Sequence, residues 1–139
     1  MTLVTGYEFE FLLKLFVSVV AGFVIGTERE GRGKPAGVST QSFVIGGSMI
    51  FTFLSIIMEP TAPSRIAAQI VSGIGFLGAG IILKSDGGKV TNLTTAASIW
   101  FAASIGMAIG FGWYLIALLA LVYAVLVPRL PQIYTTQDK

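Results

Sequence analysis

The sequence predicts an all-α polytopic membrane protein: a bundle of about five transmembrane helices, N-terminus outside and C-terminus cytoplasmic. Three observations carry this. Of 139 residues, 54% are hydrophobic and only 12% charged, with a mean hydropathy of +0.83; so few charges cannot clothe a soluble domain of this size. Apolar segments recur at about the length of a bilayer-spanning helix, roughly 20 residues. Lys and Arg fall unevenly on the breaks between those segments.

The first segment runs from about Glu10 to Ile25. Glu8 and Glu10 stand before it in place of a basic cluster, which marks a retained helix rather than a signal peptide. The second runs from Ser39 to Met58 and is ended by Glu59–Ser64, a stretch with two prolines that cannot continue a helix. The third runs from Arg65 to Leu83 and is followed by the turn signal Ser85–Gly88. The fourth covers about Leu93 to Ile109, with Thr91 and Asn92 placed to cap its start. Gly110-Phe111-Gly112 leaves room only for a tight hairpin before the fifth, Trp113 to Val127, which Pro128 and Pro131 close. Residues 1–131 thus form the transmembrane domain and 132–139 a short polar tail.

Five spans put Arg29, Arg32, Lys34, Lys84, Lys89, Arg129 and Lys139 on one side, with Arg65 alone on the other. Basic loops stay cytoplasmic, which sets the orientation. Lys14, inside the first span, is expected to snorkel toward the outer side. Trp113 and Tyr114 on one side and Tyr134 on the other read as an interfacial aromatic belt.

Several chemistries are excluded. With no cysteine and no histidine, the chain has no disulfide, thiolate or imidazole metal site, nor Cys- or His-based catalysis. Its nine Lys and Arg are dispersed, so nucleic-acid binding has no support. No nucleophile–base pair is visible, the expectation is that the chain is not an enzyme, and no cofactor is implied.

Small residues carry the packing signals. Gly22 and Gly26 form a GxxxG pair in the first span. The third holds Ser72, Gly73, Gly75, Gly78 and Gly80 in one run, and the fourth a ridge at strict i+4 spacing, Thr94, Ser98, Ala102, Gly106 and Gly110. Either these three spans form a compact bundle with the third as hub, or one of them joins a homodimer. For the third span a second reading stays open: local unwinding that lines a polar cavity. Arg65, Gln69, Ser72 and Phe76 share one side of it.

Polar residues gather on the cytoplasmic side. Glu28 lies close to hydrocarbon, where an acid usually faces the bundle and pairs with a cation. Glu28 with Arg32, and Glu30 with Lys34, stand at i,i+4, although Gly31 and Gly33 weaken a helix there. Together with Arg29, Thr94, Thr95 and Asp86 they sketch a polar vestibule able to suit a divalent cation, whose identity the spacing does not give.

Ile25–Glu30 (IGTERE), Pro35–Thr40 (PAGVST), Arg65–Gly80 (RIAAQIVSGIGFLGAG) and Asn92–Gly112 together resemble the MgtC/SapB family of bacterial inner-membrane proteins. The resemblance covers nearly all of spans one to four. It implies a multi-pass protein of the bacterial cytoplasmic membrane, active in adaptation to low magnesium, acid and intracellular stress during virulence. It further implies regulation of a membrane complex, the F-type ATP synthase, rather than magnesium transport. The family's acidic pair falls on Glu28 and Glu30, its arginine and glutamine on Arg65 and Gln69, and its glycine run on Gly73, Gly75, Gly78 and Gly80. Its LTTAA motif falls on Leu93–Ala97. The chain departs at Thr94, where the namesake has an asparagine, at Phe101, where it has a cysteine, and at Ala62, where many members have an aspartate. The competing reading is a small ion or solute transporter or channel with a polar site near Glu28.

Overall fold

The structure is a computed structural model that describes residues 6–82 and 91–130. Those residues form five α-helices and a short 3-10 turn, and no strand is found among them. The helices are α1 (Glu8–Gly31), α2 (Val38–Met58), α3 (Ser64–Ile82), α4 (Leu93–Gly110) and α5 (Tyr114–Leu126), with the turn over Val127–Arg129. The first four are long and apolar enough to cross a membrane. At 13 residues α5 is shorter, and it is the turn at Pro128 that carries it on to Arg129. Lys84, Asp86, Lys89, Tyr134 and the polar tail lie outside the described residues.

α1 runs six residues past its expected end. Thr27 donates to the Phe23 carbonyl at 2.8 Å, and the Glu28–Arg32 ion pair at 3.1 Å ties the last turn, so the helix holds to Gly31. It stops where Gly33 turns left-handed at φ +63°. Glu30 does not reach Lys34 as the spacing suggested. Its carboxylate accepts the Val38 amide at 2.9 Å, capping α2, whose N-cap residue, Gly37, has no side chain to do so.

Successive helices alternate in direction, and α2 and α4 make the centre. α1 packs on α2, α3 on α4 and α2, and α5 on α4 and α1. Ile45 and Met49 of α2 and Ile99, Ile105 and Ile109 of α4 are fully buried. Nearly the whole circumference of α4 from Ile99 onward is covered, as expected of a helix apolar all round.

This corrects the expected bundle of spans one, three and four: among the described residues α1 and α3 do not touch. The notches lie where the sequence put them, but α2 fills them. Gly22 and Gly26 sit against Ser42 and Val38, so closely that a Cβ at either would strike α2 backbone. Gly106 meets the Ile45 carbonyl and Gly110 meets Thr52. Ala102 is fully buried, and Ser98 accepts a long 3.4 Å bond from Gln41. The α4 ridge meets α2 at Ser98, Gly106 and Gly110, while Thr94 at its start is exposed.

α3 is not the hub. Only Ala67, Ile70 and Gly78 are buried, and Gly78 meets Ala96 of α4. Gly73, Gly75 and Gly80 have nothing within 4 Å of an added Cβ. The helix is continuous from Ser64 to Ile82, so the unwound alternative does not hold over those residues.

Lys14 does not snorkel. It is 2% exposed and turned inward, donating to the Gly110 carbonyl at 2.8 Å and pairing with Glu10 at 2.7 Å over the Phe53 ring. A cation at a helix C-terminus complements the exposed carbonyls and the dipole, so α4 draws the ammonium in.

Candidate functional site

The described polar residues of the expected vestibule meet where the C-terminal end of α1, the start of α4 and the 3-10 turn converge. Arg29 fixes the place. It is 3% exposed, and its guanidinium donates from Nη2 to Thr95 Oγ1 at 2.8 Å and from Nε to the Pro35 carbonyl at 2.9 Å. One side chain thus ties α1, the α1–α2 turn and α4. Both acceptors are neutral, and Arg29 is in none of the three ion pairs found among the described residues.

Beside it, Glu28 is held by Arg32 and its side chain is only 5% exposed. The helical face of α4 at i, i+3, i+4 and i+7, namely Thr94, Ala97, Ser98 and Phe101, forms the opposite wall with Trp100. Tyr123 of α5 packs on Phe101 with ring centroids 5.2 Å apart and closes the third side. The cleft so bounded has a volume of about 520 Å³ and reaches from Glu28 and Arg29 down an apolar wall. At its mouth it joins a second space of about 540 Å³ that shares Glu28, Arg29, Thr94, Val127 and Pro128 and adds Arg32, Lys34 and Arg129.

α4 starts at this mouth. Asn92 is its N-cap residue, in the left-handed conformation at φ 62°, and makes no side-chain cap bond. The expected capping by Asn92 is therefore absent, and first-turn amides of α4 are left to other acceptors.

The other candidates lie elsewhere. Glu30 caps α2 and is not among the residues that line the cleft. Arg65 is at the opposite end of the bundle, exposed and weakly paired with Glu59 at 3.4 Å. Gln69 is exposed on α3, beside an apolar groove of about 450 Å³ between α2 and α3. The outer face of α3 carries Arg65, Gln69, Ser72 and Phe76, all exposed, with Phe76 at 82%. Among the described residues no three His, Cys, Asp or Glu side chains gather as a metal-binding group. Sequence reasoning missed Trp100, Tyr123 and Arg129 as cleft residues; Trp100 adjoins the α4 face of Thr94, Ala97, Ser98 and Phe101, whose helical spacing was the available signal, while Tyr123 and Arg129 come from α5 and the turn and carried none.

Comparisons with known proteins identify the family of the chain. Residues 15–134 match the family model described as MgtC family. The chain is 45% identical over 112 residues to Protein MgtC of Salmonella typhimurium strain LT2, covering 81% of this chain and 48% of that protein. It is 39% identical over 126 residues to Protein SapB of Bacillus subtilis strain 168, covering 82% and 53%. It is 42% identical over 127 residues to the putative magnesium transporter YhiD of Escherichia coli K12, covering 85% and 59%. The chain spans about half the length of the curated relatives it matches. No solved structure matches it.

Proposed function

This chain belongs to the MgtC family, and on that premise we propose that it serves magnesium-related adaptation by binding and regulating a second membrane protein. We place it in the bacterial cytoplasmic membrane, acting under low magnesium, acid or intracellular stress. The membrane sector of the F-type ATP synthase is the partner that the family resemblance implies. No catalytic step is assigned.

The uncovered outer face of α3 carries the reading. A helix apolar enough to span a membrane leaves Gln69 and Ser72 exposed, beside glycines that meet nothing. In hydrocarbon a side-chain amide is best satisfied by another helix, and small residues let a second backbone approach closely. Gly22, Gly26, Gly106 and Gly110 are already filled from within the chain; Gly73, Gly75 and Gly80 are left for a partner.

ATP-driven proton pumping in inverted membrane vesicles tests this. The protein should lower the pumping rate in proportion to its amount, and unchanged pumping at high expression contradicts the proposal. Transport is the alternative, since the Escherichia coli relative is named a putative magnesium transporter. Liposomes holding purified protein should then show Mg²⁺ or H⁺ flux above protein-free liposomes, whereas the packed α1–α2–α4 interior favours none.

A further inference from the structure

We propose that the cleft between α1, α4 and α5 is a binding site for an anionic phospholipid, its head group at the basic mouth and an acyl chain along the aromatic wall. The two parts differ sharply in chemistry and are continuous. The inner part is lined by Ile25, Trp100, Phe101 and Tyr123, which suit a hydrocarbon chain. Among the described residues the mouth presents Arg29, Arg32, Lys34 and Arg129 against the carboxylate of Glu28. That carboxylate is already engaged by Arg32 at 3.1 Å.

Arg29 makes the case specific. The Arg29 guanidinium is buried and its hydrogen bonds go to a neutral hydroxyl and a carbonyl, while nearby Glu28 is shared with Arg32, so an approaching anion would stabilise a charge held away from water. A phosphodiester at the mouth supplies that anion. It also offers acceptors to the first-turn amides of α4, which Asn92 leaves uncapped. Guanidinium and phosphate match in geometry as well as charge. Basic pockets between membrane helices, open at one end of the bundle and apolar within, take acidic lipids for these reasons. A free phosphate would use the mouth and leave the aromatic wall idle.

Trp100, 51% exposed, reports on the acyl chain directly. With Trp113→Phe removing the other tryptophan, the protein is reconstituted in bilayers containing brominated phosphatidylglycerol or brominated phosphatidylcholine at equal mole fraction. Brominated phosphatidylglycerol should quench Trp100 several-fold more effectively. In the Lys34→Gln/Arg129→Gln background that preference should vanish, because each basic side chain removed is worth about fivefold, together more than the whole preference. Both side chains are exposed, and circular dichroism checks that the variant keeps its helices. Equal quenching by the two lipids overturns the proposal. Loss of the preference on adding millimolar glycerol phosphate also overturns it, in favour of a soluble phosphate ligand.

Discussion

Replacing Gly106 by alanine should destabilise the protein, whereas the same change at Gly75 should not. At Gly106 a Cβ would lie against the Ile45 carbonyl and 2.8 Å from the Ser48 Cβ. The obstruction is α2 backbone, which cannot rotate away, so α2 and α4 must separate along a contact that includes fully buried Ile45, Met49 and Ile105. Overpacking of this kind costs about 1–3 kcal/mol, and the upper end applies where backbone is struck. Alanine's helix propensity returns about 1 kcal/mol, leaving a net loss of about 2 kcal/mol. At Gly75 nothing lies within 4 Å, so only the propensity gain remains, about 1 kcal/mol in the stabilising direction. The two variants should therefore differ by about 3 kcal/mol in reversible unfolding from mixed micelles. If Gly106→Ala unfolds with the wild type, or Gly75→Ala loses as much as Gly106→Ala, the assignment of α2 as the packing centre is wrong.

Three further outcomes follow from named contacts. Lys14→Met should destabilise by about 1–3 kcal/mol in the same assay, because the buried Gly110 carbonyl loses its donor at 2.8 Å. Thr95→Val, nearly isosteric, removes the 2.8 Å acceptor of buried Arg29 and should cost about 1.5–3 kcal/mol, while Thr95→Ser should restore most of it. Glu28→Gln frees Arg32 and should raise the preference of Trp100 for brominated phosphatidylglycerol severalfold.

The boundaries between α2 and α3 and between α4 and α5 were legible because punctuation fixes them, the prolines around Thr61 and the Gly110–Gly112 turn ending helices for local reasons, whereas the end of α1, six residues late, was not. The partners were not. A glycine notch states that something comes close but not what comes. The α2 surface that fills the notches is Val38, Ser42, Ile45, Ser48 and Thr52, whose serines are interrupted by branched residues and form no run of glycines. The third span misled for the same reason in reverse, since Gly73, Gly75 and Gly80 announce close contact and, among the described residues, nothing lies within 4 Å of a Cβ added there. Lys14 turned inward because Gly110 and Phe53, distant in sequence, meet it from α4 and α2. At the cleft, Glu28, Arg29, Thr94 and Thr95 were each visible, but the direct bond from Arg29 to Thr95 and the capping of α2 by Glu30 depend on how α1 and α2 cross.

The central claim is that the outer face of α3 receives another membrane protein, and cross-linking from Phe76 tests it most directly. A photoreactive side chain at Phe76, in the middle of that face and 82% exposed, is compared with one at equally exposed Phe9 on α1. In native membranes Phe76 should capture a membrane subunit of the ATP synthase, lost when Gly75→Leu crowds the face, while Phe9 should not. Capture at Phe76 of a second copy of this chain alone, or patterns that do not distinguish Phe76 from Phe9, would contradict it.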